Sequence, residues 1–330
     1  MSMDAIVALI QRGNDFLVFP HRRPDADAFG SALALAAGIR ALGKQAAVYL
    51  PEAVPSSLAF LPGSDAVIHQ ISSASSFDAS FVLDTAALSL FPSGLPSKEA
   101  MGSLVVLDHH RVHDDFGDLV FRDVEASSTG ELVAALLERL GLQQWTLATA
   151  TPLYAALVGD TGGFRYPGTS VRTFQLAARL LSTGIDPWEV AYHLFEGWPF
   201  ERLQLLREVL ASLRLELGGK LATMVVDLDM LRRTGATEEM VDGLVNYGRS
   251  IAGVEVAALL WERPPGAEGQ ALTQLSLRSR GLVDVSNLAM KFGGGGHHGA
   301  AAAQVQSSVE ALRERLLSVV EEALRGVSRG

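Results

Sequence analysis

Through the first half of the 330-residue chain, short apolar runs alternate with longer amphipathic or alanine-rich stretches. Residues 16–19 (FLVF), 46–50 (AAVYL), 81–84 (FVLD) and 104–108 (LVVLD) read as buried strands. Residues 31–43, 128–141, 151–159 and 169–184 read as helices. This alternation predicts an α/β fold built on a doubly wound, mainly parallel sheet. Thr151-Pro152 and Asp186-Pro187 read as helix starts, with a capping side chain before proline at the first helical position.

The second half has its own rhythm. KLATMVVDLDM, VEVAALLWE, LTQLSLRSR and AAAAQVQ read as strands, and EEMVDGLVNYGRS, DVSNLAMKFG and SVEALRERLLSVVEEALRG as helices. These predict a second, smaller α/β domain with its own core. The division is residues 1–186, a helical linker over 187–215, and 216–330. A chain of this length suits two domains.

Composition narrows the class. Apolar content of 48% and charged content of 19% fit a globular protein. No apolar run approaches the roughly 18 residues of a membrane span, and the MSMDAIV start lacks the basic opening of a secretory signal. A cytoplasmic protein is expected. With no cysteine, any metal must be held by His, Asp or Glu, which favours Mn²⁺, Mg²⁺ or iron over structural zinc. A net charge of −10 argues against a broad basic surface for long duplex nucleic acid. Most of the acidic excess precedes residue 216. It reads either as a solvated surface or as carboxylates that hold cations.

The chemistry sits where strands end. In an open parallel sheet, ligands bind beyond the carboxyl ends of the strands. His21, Asp25 and Asp27 follow the first strand, Asp84 ends another, and Asp108, His109 and His110 end a third. Asp160 follows an apolar helix. Taken singly, each has an ordinary reading: Asp27 as a helix N-cap, Asp84 and Asp160 as turn residues, the histidines as surface groups. Brought to one sheet edge, such carboxylates and imidazoles need positive charge between them. One divalent cation is too few for about six ligands, and two cations sharing one aspartate satisfy them. In the second half, Gly293–Gly296 form a four-glycine run ahead of His297. It reads as a plain flexible loop or as backbone that lets a phosphate come close. Arg278 suits bidentate phosphate binding.

The motifs H-x-x-P-D-x-D-x-x-G-S (21–31), V-L-D-T (82–85), V-L-D-H-H (106–110) and G-D-T-G-x-F-R (159–165) resemble those of the DHH phosphoesterase superfamily. SLRSR (276–280), DVSNLA (284–289) and FGGGGHHGAAA (292–302) are similar to the type-1 DHH-associated domain. Within the superfamily the chain looks most like the bacterial nanoRNase/pAp-phosphatase group. The resemblance implies two Mn²⁺ ions, with Mg²⁺ or Co²⁺ as substitutes. His21 and Asp25 would bind one, and Asp27, His109 and Asp160 the other. Asp84 would bridge both. Asp108 would orient its neighbours, and His110 would face the scissile phosphate as acid or hydrogen-bond donor. Arg278, Gly294, Gly295, Gly296 and His297 would bind the substrate phosphate or terminal nucleotide.

The implied reaction is hydrolysis of very short RNA or DNA single strands to mononucleotides, and of 3′-phosphoadenosine 5′-phosphate (pAp) to AMP, by an activated water. The alternatives are a cyclic or linear dinucleotide phosphodiesterase and, from another class, a non-catalytic nucleotide-binding regulator. No membrane partner is expected. A homodimer is compatible with the chain, although no residue pattern requires one. His113 lies close enough to the V-L-D-H-H motif to approach the site, and also reads as a bystander.

Overall fold

The computed structural model describes residues 3–111, 113–266 and 269–327; the side chains of His297 and Val327 lie outside that description. The chain divides into two units, residues 1–197 and 198–330.

The first unit runs α1 (Met3–Arg12), β1 (Asp15–Pro20), α2 (Ala26–Ala41), β2 (Gln45–Val48), β3 (Ala79–Leu83) and α3 (Lys98–Met101). It continues with β4 (Ser103–Asp108), β5 (Leu119–Arg122), α4 (Thr129–Arg139), α5 (Leu147–Asp160), α6 (Val171–Leu181) and α7 (Pro187–Phe195). Five parallel strands lie in the order β2-β1-β3-β4-β5. Successive residues alternate between the faces. Phe16, Val18, Phe81, Leu83, Val105 and Leu107 enter the main core with α1, α2, α4 and α5. Leu17, Phe19, Val82 and Val106 form a smaller core under connecting segments that carry Phe91 and Phe116.

The strand order reverses between β1 and β3. Such a switch point opens a crevice at the strands' carboxyl ends, and His21 and Asp84 follow these two strands.

Two glycines set how closely α2 and α5 approach. A Cβ on Gly30 would lie 2.4 Å from the Pro152 carbonyl oxygen, and one on Gly159 would lie 2.7 Å from Ala26 Cβ. Without side chains at these points, the start of α2 and the end of α5 meet beside the crevice. The helix start expected at Thr151 is corrected. α5 begins at Leu147, and Pro152 lies inside it. The missing proline N–H forfeits one bond of the helical ladder, but Pro152 is buried among the helices. The start at Pro187 is as expected, with the Asp186 side chain accepting from Trp188 N.

The second unit runs α8 (Phe200–Ala211), β6 (Arg214–Glu216), β7 (Leu221–Val226), α9 (Leu228–Thr234), α10 (Val245–Arg249) and β8 (Val256–Arg263). β9 (Leu272–Ser279), α11 (Val285–Met290), β10 (Gly295–His297), β11 (Ala300–Val305) and α12 (Val309–Val327) follow. Its six strands form a mixed sheet in the order β10-β11-β9-β8-β7-β6. One face packs beneath α11 and α12 and the other beneath α8 and α10. The long helix read across EEMVDGLVNYGRS is instead a short 3₁₀ turn followed by the five-residue α10. Gly243, at φ 79°, breaks it. Among the described residues, no helix is long and apolar enough to cross a membrane.

Candidate metal centre

Asp25, not Asp27, caps α2: its carboxylate accepts from Ala28 N at 3.0 Å. Asp27, one turn in, is 1% exposed and points into the crevice's protein wall. It accepts from Ser31 Oγ at 3.1 Å, Thr129 N at 2.7 Å and Gly130 N at 3.0 Å. The last two are the first amides of α4, so this carboxylate neutralises the positive end of a second helix.

Asp84 follows β3 with a left-handed φ of 53°, a conformation Asp tolerates better than most residues. Its N–H donates to Leu107 O at 3.0 Å, and its Oδ1 accepts from Thr129 Oγ1 at 3.0 Å. The bend turns the carboxylate away from the strand line, and both bonds hold it there.

His109 and His110 follow β4. His109 Nδ1 lies 3.1 Å from Ala126 O. A carbonyl only accepts, so Nδ1 carries a proton, and Nε2 is the nitrogen left to face the carboxylates. That nitrogen lies 3.4 Å from Asp84, 3.4 Å from Asp160 and 3.8 Å from Asp27. His21 repeats the pattern, with Nδ1 2.9 Å from Arg22 O. Histidines that ligate metals are characteristically oriented in this way. His110 Nδ1 lies 2.5 Å from Asp108 Oδ1 and 3.6 Å from Asp84 Oδ1. Asp160 ends α5, beside the partial negative charge of a helix C-terminus, where a carboxylate is disfavoured.

Three sets of ligand atoms each lie within 4.8 Å of one another: His21, Asp25 and Asp84; Asp27, His109 and Asp160; and Asp84, His109 and His110. Asp84 and His109 each belong to two of them.

The electrostatics record the crowding. Burial, then Asp84, raises the Asp27 carboxyl well above its ordinary range, against the opposing pull of His109. Burial and the neighbouring Asp84 and Asp25 push Asp160 to about 7, although 31% of its side chain remains exposed. Burial alone would discharge His109, but Asp84, Asp160 and Asp27 push it to about 10. Burial likewise opposes charge on Asp108 and His110. Their mutual hydrogen bond outweighs it, lowering the Asp108 carboxyl and raising the His110 imidazole. Buried carboxylates and an imidazole that retain protons when crowded together fit a site where a cation takes the place of those protons. The oxygen and imidazole donors suit a hard or borderline divalent ion.

Sequence reasoning passed over Thr129, Gly130 and the Ala126 carbonyl. The only signal for them is the small polar run SSTG (127–130) at the start of α4. His69 and His193 stay outside the cluster: one lies 2.7 Å from Leu50 O and the other stacks on Phe60.

In the second unit, Arg278 lies on β9, half-buried, with its Nη1 donating to Leu277 O at 2.9 Å. By backbone register, His297 pairs with Ala300 and Ala300 with Arg278, so the three occupy one row of the sheet. Gly294 and Gly296 have a packing reason. A Cβ there would lie 2.1 Å from Ala302 O or 2.5 Å from Ala300 O, respectively. Gly295 faces open space.

Together with the family and relatives that the chain matches, the fold and this cluster define a metal-dependent hydrolase of phosphoester bonds. The chain belongs to the DHH family. Residues 15–158 match the DHH family N-terminal domain, and residues 218–326 match the DHHA1 domain. It is 33% identical, over 92% of this chain and 88% of the relative, to the bifunctional oligoribonuclease and PAP phosphatase NrnA of Thermus thermophilus. It is 28% identical to the Bacillus subtilis protein of the same name, over 96% of each. The crystal structure of an exopolyphosphatase-related protein from Bacteroides fragilis superposes with a TM-score of 0.84 at 26% identity, covering 98% of this chain and 95% of that one.

Proposed function

We propose that the protein hydrolyses very short single-stranded oligonucleotides to mononucleotides, and pAp to AMP, with two Mn²⁺ ions. Mg²⁺ or Co²⁺ would serve as substitutes. The observation that carries this reading is the juxtaposition of two ligand sets, His21, Asp25 and Asp84 beside Asp27, His109 and Asp160, with His109 Nε2 3.4 Å from Asp84. The names of the Thermus and Bacillus relatives supply the substrate class.

His21 and Asp25 would hold one cation, Asp27, His109 and Asp160 the other, with Asp84 shared. Bound there, the cations would supply charge neutralisation at the phosphate and a more acidic water. The chain's own residues do the rest. Thr129 and the amides of α4 fix Asp27 and Asp84 before any ion arrives. His110, held by Asp108, offers a proton to the departing oxygen. Its elevated pKa keeps a proton available near neutral pH.

The second unit would choose the substrate, with Arg278, Gly295 and His297 gripping the phosphate or terminal nucleotide and Gly294 and Gly296 shaping the turn. The division into a catalytic domain (1–186), a helical linker (187–215) and a substrate-binding domain (216–330) is supported by family matches that stop at residue 158 and resume at 218. A cytoplasmic setting suits a cysteine-free chain that acts on small nucleotides.

The test is a time course in Mn²⁺ on an RNA dinucleotide, a pentanucleotide, a 24-mer, pAp and cyclic di-AMP. Mononucleotides should appear rapidly from the short RNAs and AMP from pAp, with slow action on the 24-mer. Turnover confined to cyclic di-AMP would reassign the substrate.

A further inference from the structure

His113 lies three residues beyond His110 and belongs to none of the ligand sets. Its side chain is 6% exposed, and its Nε2 has no hydrogen-bond partner. Facing it at 4.0 Å is Asp108 Oδ2, also unpartnered, on a side chain with no exposure. The other carboxylate oxygen, Oδ1, is held by His110. The separation is about 1 Å beyond hydrogen-bonding distance. Buried polar atoms are rarely left unpaired, and two orphans that face each other are most simply each other's partner.

The ring is fixed in other respects. It stacks on Phe116 at 4.4 Å, Phe116 meets Phe91 edge-on at 5.1 Å, and Phe91 meets Phe19 of β1 at 5.5 Å. A phenylalanine would serve this aromatic column as well. What the imidazole adds is an N–H directed at the Asp108 carboxylate.

We propose that His113 is a positioning residue. Its Nε2–H donates to Asp108 Oδ2, and the carboxylate, held at both oxygens by two imidazoles, sets the orientation of His110. The inference rests on the reading of His110 as the proton donor given above.

Two variants and one spectrum test it. His113→Phe keeps the stack on Phe116 and removes the donor, whereas His113→Gln returns an N–H near the Nε2 position. With pAp in Mn²⁺, His113→Phe should lower kcat by about 10–100-fold, the range for partners that orient active groups. KM and bound Mn²⁺ should stay unchanged, and His113→Gln should recover most of kcat. In ¹⁵N-histidine NMR of the full chain with Mg²⁺, His113 should be the Nε2–H tautomer, and the His110 ring nitrogens should shift in His113→Phe. A His113→Phe enzyme with wild-type kcat and unmoved His110 signals would overturn the proposal. So would an Nδ1–H tautomer in the wild-type protein, which is read even if a variant does not fold. If the wild-type protein turns over neither pAp nor short RNA, the functional reading fails while the spectrum still decides whether His113 holds Asp108.

Discussion

The Thr129 amide donates to the Asp27 carboxylate over 2.7 Å, across 102 residues of sequence, while the Thr129 hydroxyl donates to Asp84 at 3.0 Å. One residue at the start of α4 thus holds two of the proposed ligands, from two different elements. The cluster is organised by protein groups, not only by the ion it is suited to hold.

Thr129→Val tests this directly. It keeps the branched shape and the amide but loses the hydroxyl bond to Asp84. Metal affinity or kcat should fall by about 10–100-fold, measured by Mn²⁺ titration and by pAp turnover. Unchanged values would mean that Asp84 is fixed by its backbone alone.

Asp84→Asn removes the charge shared by two ligand sets. Asn tolerates the left-handed φ of this position as Asp does, so the fold should survive. Turnover should fall by more than about 100-fold, beyond the usual effect of an orienting partner. Steady-state rates in added Mn²⁺ check it, and near-normal turnover would remove Asp84 from its proposed role.

The shifted protons give a pH dependence. In the metal-free fold, Asp160 is raised to about 7, and Asp27 is also raised well above its ordinary range. An unfolded aspartate titrates near 3.9, so the Asp160 contribution is present at low pH and is lost as pH climbs from about 4 to 7. His109, raised to about 10, stabilises fully below about 6.5 and loses its contribution as pH rises toward 10. Both make the metal-free protein less stable as pH rises. A cation replaces these protons, so the Mn²⁺-induced gain in Tm should grow between pH 5 and 8. Melting curves with Mn²⁺ and with chelator read it, and a gain that shrinks with pH would contradict it.

Gly294 and Gly295, ahead of His297, should separate by function. Gly294→Ala would drive a Cβ into the Ala302 carbonyl, and overpacking of this kind costs about 1–3 kcal/mol. Gly295→Ala meets open space. It should melt near the wild-type temperature and raise KM, as should His297→Ala, with bound Mn²⁺ unchanged in both. Denaturant unfolding and KM measurements distinguish the two effects.

The site was legible in the sequence to the extent that its donors end apolar runs. His21, Asp84 and the 108–110 triplet each mark the end of a strand, and a parallel sheet carries such ends to one edge. β5 escaped because Leu119–Arg122 is a short edge strand with half-exposed side chains and no buried run. The start of α5 was misplaced because Pro152 usually opens a helix and here lies within one. Asp25 and Asp27 exchanged the capping role because only the local backbone decides which carboxylate reaches Ala28 N. Thr129 was invisible for a different reason: its partners lie 102 and 45 residues away, and no periodicity encodes a contact between separate elements. The mutual approach of His113 and Asp108 likewise needed coordinates.

The central claim is that these donors hold two cations through one shared aspartate. Its most direct test is the number of Mn²⁺ ions bound per chain at saturation, by calorimetric titration checked against elemental analysis. Two per chain in the wild-type protein, reduced in Asp84→Asn, is the predicted result. A single ion, or a stoichiometry indifferent to Asp84, would contradict it.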